Sequence, residues 1–448
     1  MKTSNLTTGS VARSTVTFAL PYLLAAFLQT FYGMVDLYVV KLYNTTSTSA
    51  AVANGSQIMH MVTVVILGFA MGTTVHVGRC VGQKDKKGMS GIIGTSILLF
   101  SLFAIVFCGI AVLGNRGIVT LLRVPAPAVE ETVQYLHICF LGIPFIVAYN
   151  VISSIFRGAG DSRHPMYFVL IACLVNVVMD FVMVGGFGLG ARGAAIATVL
   201  GQGVSVVVSL VMMCKMDLGI SVSRRDIRWD TETVRKILSV GTPIAMQDGL
   251  IQVSFVVITV IANGRGLIDA TAVGIVEKLI GFLFLVPSSF LSAISAITAQ
   301  NMGAGKPQRA RQSLGYGLLI TMTWGVMCFL YSQFLPQTLV GILTRDGAVL
   351  AAGCLYLKSY AADTFFAAIH FCFSGYFCGN QKSAISFFHN ILSIVLLRIP
   401  GSYLASKWWP DTLYPMGWAA PLGSILSGMI CVAFFMYEIK REKRDKSE

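Results

Sequence analysis

The chain has 448 residues, 55% apolar and 12% charged, with 33 Lys and Arg against 20 Asp and Glu, a net charge of +13. Soluble chains carry about twice that charged share, so three water-exposed domains of the size this length would otherwise imply are excluded. A basic balance fits membrane loops as well as nucleic acid, and the positions of the charges must decide between them.

A membrane helix needs about 20 mostly apolar residues. Twelve such runs follow one another, near 14–42, 51–78, 90–113, 132–156, 165–187, 192–214, 237–262, 270–299, 313–335, 350–377, 384–406 and 417–437. The first is too long for a signal peptide and reads as a spanning helix. It carries Pro21 in its inner half, where proline removes a helix hydrogen bond and invites a kink, so Pro21 is the expected hinge. Further along the same run lies Asp36. In the fifth run Asn176 and Asp180 are one turn apart and share a face. Thr198 lies a similar distance inside the sixth run. At about 1.5 Å per residue, Asp36, Asp180 and Thr198 fall at one depth, about 10 Å below the outer surface.

The basic segment 215–236 separates the sixth run from the seventh. The second half does not repeat the acids in matching places. Asp248, with Gln252 nearby, sits in the seventh run, Glu277 and Lys278 in the eighth, Asp363 in the tenth and Arg398 in the eleventh. A charge inside a span is costly and marks a functional site by default. Asp363 is the expected C-terminal candidate for a cationic substrate or cation, with Asp248 and Gln252 beside it as lining. The competing expectation is that Asp363 pairs with a base such as Arg398.

Loop charges give the orientation. With the N-terminus inside, 23 Lys and Arg fall in inner loops and 7 in outer ones, which places both termini in the cytoplasm. The halves also repeat. Leu20-Pro21 is echoed by Thr242-Pro243, Val81-Gly82-Gln83-Lys84 by Met302-Gly303-Ala304-Gly305-Lys306, and Phe156-Arg157-Gly158 by Phe377-Cys378-Gly379, each 221 or 222 residues on. Six spans separate each pair, so the repeat is parallel. The expected fold is an all-α integral membrane protein. Its 12 transmembrane helices form two six-helix lobes related by a pseudo-two-fold axis, with a central cleft. The lobes are 1–214 and 237–437, joined by the cytoplasmic linker 215–236 and followed by a cytoplasmic tail, 438–448. That architecture suits alternating access.

The chemistry points the same way. Two carboxyls, an amide and a hydroxyl at one depth make a cation or proton site, because two acids without a basic partner are poor helix glue. Burial favours the neutral form of a carboxyl, a second one nearby favours it further, and such a pair titrates as a unit. An oxygen-rich site also suits Na⁺. The echo of Asp36 is Ile258 and that of Asp180 is Gly401, so the coupling chemistry is expected in the N-terminal half alone. Ten single Cys and the scattered His76, His137, His370 and His389 form no metal spacing, so no metal site and no cofactor is expected. H-E-x-x-H, G-x-S-x-G and phosphate-loop patterns are absent, which argues against an enzyme.

Taken together, the chain resembles the multidrug and toxic compound extrusion (MATE) transporters over nearly its whole length, closest to their DinF-type branch. The residues that carry the likeness are Pro21 with Asp36, Val81-Gly82-Gln83, Arg157-Gly158-Ala159-Gly160-Asp161, Asn176 with Asp180, and Gly193-Ala194-Ala195-Ile196-Ala197-Thr198. The resemblance implies antiport of H⁺ or Na⁺ against organic cations or other amphipathic compounds, in a bacterial or archaeal cell membrane. Asp36, Asn176, Asp180 and Thr198 are the coupling residues it implies. The family's other branch couples through an acid in the seventh span and an Asp in the tenth. Asp363 falls about a turn early for that pattern, and Asp248 is too near the start of its span. A flippase of lipid-linked or similar amphipathic substrates is the alternative within the superfamily, for which Arg398 and Lys358 would be the basic residues. Drug-like small molecules and the bilayer are the expected partners, nucleic acid is not, and the chain is expected to act as a monomer.

Overall fold

The computed structural model describes residues 6–121, 124–215 and 226–445. The first part of the expected linker, 216–225, and the last three residues of the expected tail lie outside the described residues. Most of the described residues are helical. In chain order the helices are α1 (Val11–Tyr43), α2 (Thr46–Gln83), α3 (Lys86–Leu121), α4 (Val129–Leu141), α5 (Ile143–Gly158), α6 (Arg163–Asp180), α7 (Gly190–Lys215), α8 (Thr231–Asn263) and α9 (Leu267–Leu283). They continue as α10 (Leu285–Gly303), α11 (Pro307–Phe334), the single turn α12 (Pro336–Val340), α13 (Gly347–Tyr360), α14 (Asp363–Gly379), α15 (Ser383–Ser393), α16 (Ile399–Trp408), the single turn α17 (Tyr414–Gly417) and α18 (Ala419–Arg444).

All twelve apolar runs are therefore helical. Among the described residues, 10 continuous helical stretches are long and apolar enough to cross a membrane, or 11 if α4 and α5, bent by 46° at Gly142, count as one span. The tenth run is also interrupted, by a turn at Ala361 and Ala362. Its halves α13 and α14 have 14 and 17 residues, each shorter than the roughly 20 that a span needs. Helix starts are capped where the chain meets water. Asp346 Oδ1 accepts from the amides of Ala348 (2.9 Å) and Val349 (3.0 Å) ahead of α13. Asp230 accepts from the hydroxyl and amide of Thr233 and the amide of Glu232 ahead of α8, and these bonds hold its carboxyl below the usual range.

The repeat is visible in backbone and packing. The turn after α2 passes through Lys84 at φ 60° and its echo after α10 through Gly305 at φ 69°. The turn after α5 uses Gly160 at φ 91°, and its echo after α14 uses Gln381 at φ 62°. The left-handed turn is thus kept in both halves, with glycine in only one member of each pair. A Cβ on Gly158 would strike the Thr74 carbonyl and Val77, and one on Gly379 would strike the Ser295 carbonyl and Thr298. These are the same two positions on α2 and α10, so one helix contact has been built twice.

Two compact units result. Leu20–Ala245 and Gly303–Gly305 lie in the first; Thr8–Ala19, Met246–Met302 and the chain from Lys306 onward lie in the second. The divisions fall beside Pro21 in α1 and just after Pro243 in α8, the two prolines inside those long helices.

Candidate functional site

In the first unit, α1, α6 and α7 bring Asp36, Asn176, Asp180 and Thr198 together. The Thr198 hydroxyl is 3.4 Å from Asp36 Oδ2 and 3.0 Å from the carbonyl of Ala194 one turn back. It has one proton, so it donates to one or the other. The Asn176 amide donates to the Thr198 oxygen at 3.5 Å. Asp36 and Asn176 are 2% exposed and Asp180 is 0% exposed, and the two carboxyls interact directly. Asp36 Oδ1, Asn176 Oδ1 and both oxygens of Asp180 are buried without a hydrogen-bond partner. A buried acceptor left without a donor costs about 1–3 kcal/mol, and more when charged. Four in one place call for protons or a cation.

Local sequence explains the approach. Gly201 on α7 faces α6, where a Cβ would lie 2.8 Å from the Ala172 carbonyl and 3.2 Å from Asn176 Cβ. Only glycine lets α7 close on the Asn176 face. Directly after Asp180, α6 loosens into a π-helical segment, Phe181–Gly186, a distortion that recurs at functional sites. Around the pair stand residues that the sequence reading did not single out. Tyr32, one turn before Asp36, interacts with Gln202, and both line a small pocket with Gln29, Tyr149 and Ser205. The Tyr135 hydroxyl meets Ser56 at 3.1 Å, and its ring fills the space that a Cβ on Gly55 would need. The i, i+4 spacings Tyr32–Asp36 and Thr198–Gln202 were the available signals for two of them; Tyr135 had none.

In the second unit a different constellation occupies the corresponding positions. Arg398, 222 residues after Asn176, ends a second π-helical segment, Ile394–Arg398. Its guanidinium donates to Tyr360 Oη at 2.7 Å and stacks on Phe255, 4.6 Å from the ring centre. Glu277 and Asp363 both lie within its field. Glu277 accepts from Thr259 at 3.3 Å. Glu277 Oε1, Asp363 Oδ1 and Arg398 Nε are buried without partners. Asp363 therefore lies in the field of a base, while among the described residues no ion pair joins it to Arg398. Asp248 lies elsewhere in the unit and accepts from Gln247 at 3.3 Å. Among the described residues, no hydrogen bond joins Asp248 or Gln252 to Asp363. Lys278 is exposed and Lys358 half-buried. Among the described residues no group of three or more His, Cys, Asp or Glu could hold a metal ion. Pro21 is buried inside α1, which remains a continuous helix through it.

Comparison with known proteins follows this geometry. The MatE family profile matches residues 21–182 and 243–404, one copy in each half. The chain is 26% identical over 447 residues to the probable multidrug resistance protein YpnP of Bacillus subtilis, covering 100% of this chain and 99% of that one. It is 24% identical over 447 residues to the probable multidrug resistance protein NorM of Thermotoga maritima, covering 97% and 94%. Among solved structures, a MOP superfamily transporter from Pyrococcus furiosus, described by the reverse polarity of its binding pocket, superposes with a TM-score of 0.93 at 18% identity, over 99% of this chain and 100% of that one.

Proposed function

The chain belongs to the MatE family, and from that premise we propose that it exports organic cations or other amphipathic compounds by antiport, with protons bound at Asp36 and Asp180 as the coupling ion. It is a multi-pass membrane protein with a transporter fold, not an enzyme. The observation that carries the proposal is the acid pair itself: two buried carboxyls in contact, with four acceptor atoms lacking donors around them. Two charges cannot share that place, so at least one proton or one cation belongs there. Gaining and losing that positive charge on opposite sides of the membrane is what antiport requires.

Asn176 and Thr198 act in this reading as orienting groups, the amide fixing the hydroxyl that donates to Asp36. Pro21 lies on the same helix as Asp36, four turns inward, where a missing backbone hydrogen bond lets α1 bend when the pair changes charge. The DinF-type branch, a cell-membrane location, cytoplasmic termini and action as a monomer complete the proposal. Na⁺ coupling has the same oxygen ligands in its favour. The flippase alternative draws on Arg398, but the acids Glu277 and Asp363 offset that charge, so no free cationic site for an anionic headgroup follows from it. The test is transport of a fluorescent organic cation by reconstituted vesicles under an imposed pH gradient or an imposed Na⁺ gradient. Transport driven by the pH gradient alone is expected. Transport driven only by Na⁺ would replace the proton, and no transport under either gradient would overturn the antiport reading.

A further inference from the structure

The second unit buries two histidines that the acid pair does not use. His370 on α14 and His389 on α15 lie with ring centres 5.6 Å apart, inclined by 60°. His370 Nε2 is 3.4 Å from the Ser424 hydroxyl of α18, and Ser424 in turn hydrogen-bonds the Asp363 carboxyl. On the other side His389 Nε2 is 3.0 Å from the Ser374 hydroxyl, and His389 Nδ1 is buried with no partner. All five side chains belong to buried residues. A helix interface that needed only to be filled would be filled by apolar groups; a half-satisfied polar one is costly. Imidazole is also the side chain that exchanges a proton near neutral pH.

We propose that Asp363, Ser424, His370, His389 and Ser374 form a proton relay in the C-terminal half, with the histidine pair as a second proton-binding site. Along α14 the relay runs from Asp363 to Ser374, about 16 Å at 1.5 Å per residue. Polar lining continues inward. The Ser386 hydroxyl donates to the Ser374 carbonyl at 3.5 Å and lies 3.8 Å from Cys378 Sγ, and the charge of Asp248 acts on Cys378. Asp363 and Asp248 thus stand at opposite ends of one buried polar stretch.

The proton count balances. A proton reaching Ser374 from the inner side releases the hydroxyl's own proton to His389 Nε2. His389 Nδ1 makes no hydrogen bond at rest, so its proton passes on only when the two rings, 5.6 Å apart between centres, turn to bring a nitrogen of His370 into reach; His370 then gives one through Nε2 to Ser424, whose own proton passes to Asp363. Each hydroxyl gains one and loses one, each imidazole returns to neutral in its other tautomer and resets by turning its ring, and the net change is one proton on Asp363. The charged groups facing the pair set the order of events. Arg398 repels a proton on His370 and an ionised Asp363, reached through Ser424, attracts it; Glu277 on α9 lies near Arg398. From α11, Thr321 meets Cys372 and Arg311 meets Tyr376; α10 presents backbone of Leu291 and Ser295 to Gly375 and Gly379. From α18, Ser427 donates to the His389 carbonyl at 3.2 Å. The pair therefore charges together with Asp363 and not alone.

The use of the relay rests on the antiport reading, but its test needs no transport, so the two fail separately. The full-length protein in detergent micelles, labelled with ¹⁵N-histidine, is titrated by NMR between about pH 5 and 8. Two of the six imidazoles are expected to titrate as a linked pair, identified by their loss in His370→Asn and His389→Asn. Asp363→Asn should move both titrations, and Ser424→Ala, which keeps every titrating group, should uncouple them from Asp363. Imidazoles that hold one protonation state throughout, or that titrate unchanged in Asp363→Asn, would overturn the relay.

Discussion

The two halves share a scaffold and differ in what they bury in it. In the first, α6 presents Asn176 beside two acids and no base. In the second, the corresponding position is Arg398, and its acids, Glu277 and Asp363, come from positions where the first half has Ser56 and Gly142. Tyr135 and Tyr356 correspond, and both stand over their clusters. Gly201 presses on Asn176, and its counterpart Gly423 lies 3.8 Å, by a Cβ placed there, from the Arg398 side chain. Each cluster adjoins a π-helical segment. The difference teaches what a base does. With a guanidinium in place, positive charge to offset two buried acids is already built in. Without one, the same kind of pair must take up positive charge from outside, and in the proposed reading that makes it the coupling site.

The most severe way to break the comparison is to remove a carboxyl from the first half. Asp36→Asn or Asp180→Asn should reduce export to the level of protein-free vesicles while leaving a folded, monodisperse protein, because the amide keeps the shape and cannot gain or lose the charge. Cells expressing either variant at wild-type levels and retaining full drug resistance would contradict the assignment. Glu277→Gln, which still leaves Arg398 with Asp363, should retain export by comparison.

Next in size is removal of the base from the second half. Arg398→Leu leaves Glu277 and Asp363 with no compensating charge, and breaking a buried charge cluster from one side costs about 3–5 kcal/mol. A marked fall in thermal midpoint in detergent is expected. Adding Glu277→Gln and Asp363→Asn to the same variant should recover most of it, since all three charges then leave together. Equal stability of the single and triple variants would mean that the acids are not held by Arg398.

A smaller effect separates the packing of the two halves. Gly201→Ala puts a methyl against the Ala172 carbonyl, which is backbone and cannot turn aside, so about 1–3 kcal/mol of overpacking is expected with a loss of coupling. Gly423→Ala meets first the Ser393 hydroxyl, which can rotate, and should be milder. Gly203→Ala on the same helix, with nothing within 4 Å of the new Cβ, should be neutral or slightly stabilising. Melting curves of the three variants give the order directly.

Much of this was legible in residue order. The i, i+4 pair Asn176 and Asp180, the depth of Asp36 and Thr198, and the repeated turns each followed from helical period and span length. The correspondence of Asn176 with Arg398 also lay in the sequence, at the spacing of Pro21 and Pro243, which is the spacing of the two family matches and makes Ser402, not Gly401, the echo of Asp180. An arginine in a span reads first as a partner for the nearest acid rather than as a replacement for an amide. The break between α13 and α14 falls at Ala361 and Ala362, which carry no signal, whereas the break at Gly142 is marked by Pro144 two residues on. The tyrosine hydroxyls and the histidine pair needed three dimensions, since Ser424 and His370, or Tyr135 and Ser56, are brought together by helices far apart in the chain.

The finest test concerns one hydroxyl. Thr198 sits between the Asn176 amide and Asp36, and its single proton has two acceptors, Asp36 and the Ala194 carbonyl. When Asp36 is ionised the proton should turn to it; when Asp36 is neutral the helix carbonyl wins, as it does for most threonines in helices. Thr198 would then favour the charged form of the pair by one long hydrogen bond, about 1 kcal/mol, or roughly a fivefold change in proton affinity. Thr198→Ala should therefore retain export but shift its pH profile, the pair holding its proton to higher pH than in the wild type. Thr198→Ser keeps the hydroxyl and should restore the profile. If alanine and serine behave alike, the hydroxyl is only filling space, and Asp36 is oriented by Asn176 and Asp180 alone. The second half offers the control, because the position 222 residues after Thr198 is Ala420 and Arg398 already favours ionised acids there.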